Sequence, residues 1–140
     1  MSGMWPVQEG IVAALAADAT FVTLAGPVFD SLAPRDYPVV NGARIGYVTM
    51  ADSAEQDMRV FARKGYTDGE TLNIFAATRE DVKQIYAAIE RVLNGPRIDL
   101  PGGTHVMLRS ETRLIACTLD ADGVTGRGVV RYDCITQAVA

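Results

Sequence analysis

The sequence predicts an α+β fold, a mixed and mainly antiparallel β-sheet with two main helices packed on one face. Three observations carry this. Residues 79–93 have the apolar stripe and the end signals of one amphipathic helix. Residues 105–137 read as a long β-hairpin, and residues 7–17 as an Ala-rich helix with one apolar stripe. Strands and helices that are each apolar on one side must bury those sides against each other. Helices gathered on one face of an antiparallel sheet meet that requirement. At 140 residues the chain can bury one sizeable core, and residues 1–140 are read as one domain.

Each element has its own signal. Pro6 suits the start of the first helix, where a missing N–H costs little. Ile11, Val12, Leu15 and Ala16 follow at helical spacing. Asp18 can cap a short turn over residues 19–24, which Gly26-Pro27 ends. Residues 28–29 form a short strand, and residues 31–38, with Pro34 and Pro38, form a loop. Residues 44–49 are extended. Residues 51–57 are polar and acidic and read as an exposed loop. Residues 58–63 read as a strand with charges on one face, residues 65–69 as a turn, and residues 70–77 as a strand.

The central helix over residues 79–93 is the best specified element. Thr78 is a good N-cap with Asp81 close to a capping-box position, and Glu80 and Asp81 suit the positive end of the helix dipole. Val82, Ile85, Tyr86, Ile89, Val92 and Leu93 make its apolar stripe. Asn94-Gly95-Pro96 stops it.

The hairpin arms are residues 105–118 and 127–137, joined through Asp120-Ala121-Asp122-Gly123. A register with Leu114 opposite Tyr132, Ala116 opposite Val130 and Thr112 opposite Cys134 gives one apolar face. It also sets Arg113 opposite Asp133 on the other face. In that register Cys117 and Cys134 lie on opposite faces, which predicts two free thiols.

Composition narrows the function classes. Hydrophobic residues are 49% and charged residues 21%, which argues against disorder. A net charge of -4 argues against a broad basic surface for DNA or anionic lipid. It is compatible with a channel through which DNA slides, because negative walls repel phosphate. Two cysteines are too few for a disulfide scaffold. The longest apolar run, residues 11–17, is too short to span a bilayer. With Glu9 before that run and no basic start, no signal peptide is expected, so the expectation is a soluble protein without a membrane partner.

No catalytic constellation emerges, and no enzyme activity, cofactor or metal is expected. His105 is the one histidine, and without further ligands nearby it reads as an ordinary surface residue at a strand start. Asp120-Ala121-Asp122-Gly123 resembles the opening of a calcium loop, but the position that needs a bidentate Glu holds Arg131, so a turn is the better reading. Gly126 and Gly128 are not followed by a helix and do not make a dinucleotide loop. Asp52, Glu55 and Asp57 form an acidic cluster, and Arg59, Arg63, Lys64 and Tyr66 form a basic and aromatic group beside it. Arg59, Arg63, Lys64, Tyr66, Asp52 and Glu55 are the candidate assembly contacts, since Arg and Tyr are enriched at interface hot spots.

The order of elements carries a resemblance. An Ala-rich helix leads through Ala17-Asp18-Ala19 to Gly26, then to Val28-Phe29-Asp30 and, after a Pro-containing loop, to Tyr37-Pro38-Val39-Val40. A polar stretch leads to Leu72-Asn73-Ile74-Phe75 and the helix around Val82-Lys83-Gln84-Ile85-Tyr86. The chain closes with Asp120-Ala121-Asp122-Gly123-Val124-Thr125-Gly126-Arg127-Gly128 into Val129-Val130-Arg131-Tyr132. This resembles the tail-terminator (tail-completion) family of long-tailed bacteriophages and gene transfer agents, over nearly the whole chain. The resemblance implies a hexameric ring on the head-proximal end of the tail tube, assembled in the host cytoplasm and carried in the virion. Such a ring stops tail polymerisation, contacts the major tail tube protein and the head–tail connector proteins, and lets DNA pass without sequence-specific binding. It brings no catalytic residue. The alternatives are a head–tail connector or stopper component, and a small α+β enzyme using Asp52, Glu55 and His105.

Overall fold

The computed structural model describes residues 4–30, 45–60, 63–94, 98–119 and 125–138. At residues 30, 52–60, 63–65, 109 and 138 only the backbone is described. In chain order the elements are α1 (Met4–Ala16), α2 (Ala19–Ala25), β1 (Val28–Asp30), β2 (Gly46–Val60), β3 (Arg63–Ala76), α3 (Arg79–Leu93), β4 (His105–Leu119) and β5 (Gly126–Ala138). They make a five-stranded sheet in the order β1-β2-β3-β5-β4. β1 runs parallel to β2, and the other neighbours are antiparallel. This is the expected α+β arrangement.

Helices cover one face of the sheet. Leu72 and Ile74 of β3 and Val130 and Tyr132 of β5 are buried with Val82, Ile85, Ile89 and Leu93 of α3. Val7, Ile11 and Leu15 of α1 and Phe21 of α2 complete this core. α3 has the bounds its sequence predicts. Thr78 Oγ1 accepts the Asp81 N–H at 3.1 Å, and the Asn94 N–H returns to Glu90 O at 2.8 Å. Within its stripe Ala88 is fully engaged, whereas Tyr86 and Val92 sit half-buried at the margin.

α1 starts earlier than its sequence suggests, and its buried stripe is Val7, Ile11 and Leu15; Val12 and Ala16 face outward. The short turn after it is a helix of its own, bent 90° from α1. Asp18 makes that corner. Its carboxylate accepts the Phe21 N–H at 2.9 Å as the α2 N-cap and also takes Arg91 Nη2 of α3 at 2.6 Å. One side chain thus caps one helix and ties it to another. Gly26 ends α2 at φ 69°, a conformation that favours glycine, with its N–H on Val22 O.

The stretch from 51 to 69 departs from its sequence reading. The expected loop at residues 51–57 and turn at residues 65–69 lie inside β2 and β3, which pair from Gly46↔Ala76 to Val60↔Arg63 with one irregularity between Met50 and Ser53. The strand expected over residues 58–63 straddles the end of that hairpin. The cause is the burial pattern. Tyr66 and Asp68 are interior, so an inward position between Gly65 and Gly69 is a carboxylate and the apolar alternation that marks a strand is missing there. The expected loop at residues 31–38, the turn at residues 120–123 and the stop at Gly95-Pro96 lie outside the described residues.

The β4–β5 hairpin is also corrected. Leu114 faces Val130, Thr112 faces Tyr132, and Arg113 faces Arg131 rather than Asp133. The ion pair still forms, diagonally. Asp133 takes Arg113 Nη2 at 3.5 Å and Arg131 Nε at 3.0 Å. A shift of two residues preserves every face, so alternation alone could not separate the two registers.

Bulges between Met107 and Arg109 and between Leu114 and Ala116 then change the phase. Cys117 sits opposite Gly128, and its Sγ reaches Arg79 O at 3.6 Å, so it lies on the helix-covered face with Cys134. Both thiols are free, as expected. The reason is separation rather than facing: Cys134 lies six steps along β5 from Gly128, about 20 Å.

Candidate assembly surfaces

The β2–β3 hairpin positions the residues expected to make assembly contacts. Arg59 lies opposite Lys64, and Val60 opposite Arg63, which gathers three cations at the hairpin end. Glu55 lies opposite Asp68 and Asp57 opposite Tyr66. Asp52 falls in the irregularity before Ser53. The seven steps from Asp52 to Arg59 cover about 23 Å of strand, so the acidic and basic residues occupy different levels of the hairpin. The side chains of Asp52, Glu55, Arg59, Arg63 and Lys64 lie outside the described residues.

Tyr66 is interior. Its ring lies 5.8 Å from that of His105, centroid to centroid, and both are buried. His105 is 3% exposed, so it is not the surface residue its position suggests, and Thr104 Oγ1 is 2.9 Å from its Nδ1. With Asp68, Glu70 and Thr136 these residues extend the covered face of the sheet into a polar interior. Thr136 Oγ1 donates to Asp68 Oδ2 at 2.9 Å.

This layout does not assemble the enzyme alternative. β2, with Asp52 and Glu55, and β4, with His105, are three strand spacings apart, about 14 Å. A surface depression of about 570 Å³ at the start of α3 is lined by Arg79, Glu80, Lys83 and Cys117, without His105. Among the described residues no group of His, Cys, Asp and Glu is placed to hold a metal ion. No single helix among them is long and apolar enough to cross a membrane.

Two interior groups have shifted protonation. Burial pushes the Tyr132 hydroxyl well above its ordinary 10.0, helped by the nearby Cys134 charge. Burial likewise raises the Cys134 thiol above its ordinary 9.0, helped by the carboxylates of Asp68, Glu70 and Asp133. Both groups hold their protons more tightly in the folded state than in the unfolded chain. Their contribution to stability is therefore complete below about pH 9 and is lost as the pH rises, first through the thiol and then through the phenol. Denaturation midpoints should fall between pH 9 and 11. Cys134→Ala should flatten the lower part of that fall, and a profile that Cys134→Ala leaves unchanged would contradict the assignment.

The open face of the sheet carries an aromatic row. Tyr47 stacks on Phe75 at 5.1 Å, Phe29 meets Tyr47 edge-on at 6.5 Å, and the Arg127 guanidinium lies 5.8 Å from the Phe75 ring centre. The outer strand β4 carries Val106, Leu108, Ile115 and Leu119, all exposed. Sequence reasoning passed over these residues, although a signal exists. Met107-Leu108 and Leu114-Ile115 are adjacent apolar pairs in a strand with one covered face, and strict alternation cannot bury both members of a pair.

No protein-family model matches the chain, and neither does any curated protein. Among solved structures the chain is similar to one in the virion of a native gene transfer agent particle, at 17% sequence identity and a TM-score of 0.76, with 94% of each chain covered. At that identity the likeness concerns fold, and it extends over nearly the whole length of both chains. The chain thus shares the fold of a component of that virion.

Proposed function

We propose that this protein is a structural virion component, a single-domain tail terminator that forms a hexameric ring on the end of the tail tube. The full-length likeness to a chain of a gene transfer agent virion carries this reading. The order of elements quoted from the sequence supports it, as does the separation of His105 on β4 from Asp52 and Glu55 on β2. In this reading the ring is not an enzyme. It meets the major tail tube protein on one side and the head–tail connector on the other, and DNA passes through it without sequence-specific contacts. The hairpin end with Arg59, Arg63 and Lys64, and the acidic stretch with Asp52 and Glu55, contact neighbouring proteins.

Electron microscopy of particles made without this protein tests the role. Overlong tails and unattached heads are expected. Tails of normal length without heads would instead identify a connector and overturn the terminator assignment.

A further inference from the structure

Among the described residues seven large apolar side chains are exposed, and they fall in two places. Trp5, Val12 and Val22 lie on α1 and α2, with Trp5 64% exposed. Val106, Leu108, Ile115 and Leu119 lie on β4. The ladder with β5 skips Leu108 and Ile115, and bulges of this kind re-aim side chains at a sheet edge.

The helix patch departs furthest from an ordinary surface. α3 turns Arg79, Glu80, Lys83, Glu90 and Arg91 to solvent, as a surface helix does. No exposed residue of α1 or α2 is charged; besides the three large apolar side chains, the exposed positions are alanines and threonines. α1 buries Val7, Ile11 and Leu15 on its other side. It is therefore apolar all round, the pattern of a helix that is covered on both sides. Residues 4–30 contain no Lys or Arg, so this face is not built to lie on anionic lipid or on DNA phosphate.

Resting on the ring reading above, we propose that the outward face of α1 and α2 is a docking surface for the outer strand β4 of a second copy of the chain. α1 packs over β1, β2 and β3, whereas β4 ends the other side of the sheet. The two patches lie at opposite ends of the molecule, so joining them is a head-to-tail contact. One such contact, repeated, hides both patches of every copy, and it closes into a ring when its rotation permits. A contact of either patch with itself would leave the other in water. The helix patch is roughly 400 Å² and the strand patch roughly 300 Å², sizes at which an exposed apolar patch marks a contact site. Joined, they bury roughly 700 Å², which matches the apolar share, about 57%, of the about 1,200 Å² at the lower end of stable contacts.

Trp5 is the one tryptophan of the chain, so it reports the contact without any substitution. Its emission should shift to shorter wavelength as monomers are concentrated into rings. Assembly mass by sedimentation tests both halves of the joint. Trp5→Glu/Val12→Glu and Leu108→Glu/Ile115→Glu change exposed side chains only, and each should raise the concentration needed for rings at least about tenfold. Mixed in equal amounts, the two variants should stop at a dimer of one copy each. The intact strand of the first meets the intact helices of the second, and the two ends left over both carry glutamates.

A ring that either variant forms as readily as wild type overturns the joint and leaves the ring reading standing. So does a dimer formed by either variant alone, since a patch would then pair with itself. A mixture that stays monomeric, or a wild-type ring with unchanged Trp5 emission, has the same consequence. Wild-type protein that forms no ring, in solution or on purified tube ends, overturns both.

Discussion

Tyr132→Ala is expected to destabilise the protein by about 4 kcal/mol, as large-to-small changes at fully buried aromatic positions do. Tyr132 is the largest fully buried side chain among the described residues, and it lies in the core between the sheet and the helices. Its hydroxyl donates to Met107 Sδ at 3.2 Å, which ties β5 to the outer strand β4. Truncation removes the ring volume and this link together. Tyr132→Phe separates the two and should cost only about 1 kcal/mol, the usual net value of one hydrogen bond. Since domains are stable by roughly 5–15 kcal/mol, the alanine variant should be close to partial unfolding at physiological temperature. Equilibrium denaturation in urea at neutral pH reads both numbers. A phenylalanine variant as unstable as the alanine variant would assign the effect to the hydroxyl contact instead of to packing.

Gly126→Val is expected to cost about 3 kcal/mol, at the upper end for overpacking. A Cβ at Gly126 would fall against the Thr78 carbonyl and 2.9 Å from Arg79 N. These are backbone atoms of the α3 N-terminus and have no rotamer to yield. Thr78 is also the N-cap of α3, so pushing it outward disturbs the cap and the register of the helix stripe on the sheet. Gly102→Ala is the contrasting control. Gly102 has φ +90° with nothing within 4 Å, so its cost is backbone strain alone, about 1 kcal/mol. Hydrogen exchange should place the damage of Gly126→Val in the first turn of α3. Equal stability losses at the two glycines would mean that the close approach of β5 to α3 does not matter.

The elements with a one-sided apolar pattern were legible in the sequence. α3 is the clearest case, because a cap, a dipole-matched first turn, a stripe and a stop all act within one segment of chain. The existence of the β4–β5 hairpin was legible too, as were the faces of its residues between the two bulges, since alternation is a local property; beyond the bulges the phase changes and Cys117 takes the opposite face. Its register was not, because a slip of two residues leaves every side chain on the same face and the Arg113–Asp133 pair still within reach. The long β2–β3 hairpin was hidden by Asp68 between Gly65 and Gly69, residue types that read as a turn. An interior carboxylate reads as solvated loop until the groups around it are known.

The candidate assembly residues divided in the same way. Arg59, Arg63 and Lys64 were identifiable as a local basic cluster, and the fold keeps them together at the hairpin end. Tyr66, grouped with them by proximity in sequence, is interior against His105, which lies on a strand 39 residues away in sequence.

By itself the sequence determined the class of fold, the capped central helix, the corner at Asp18 and the lack of any local catalytic motif. These depend on interactions within a few residues, which composition and spacing report directly. Tertiary structure alone decided the hairpin register, the bulges that expose Leu108 and Ile115, the burial of His105 and the placing of Cys117 beside α3. Each of these is set by which strand pairs with which and by what packs on top, and neither is encoded in any short stretch of the chain.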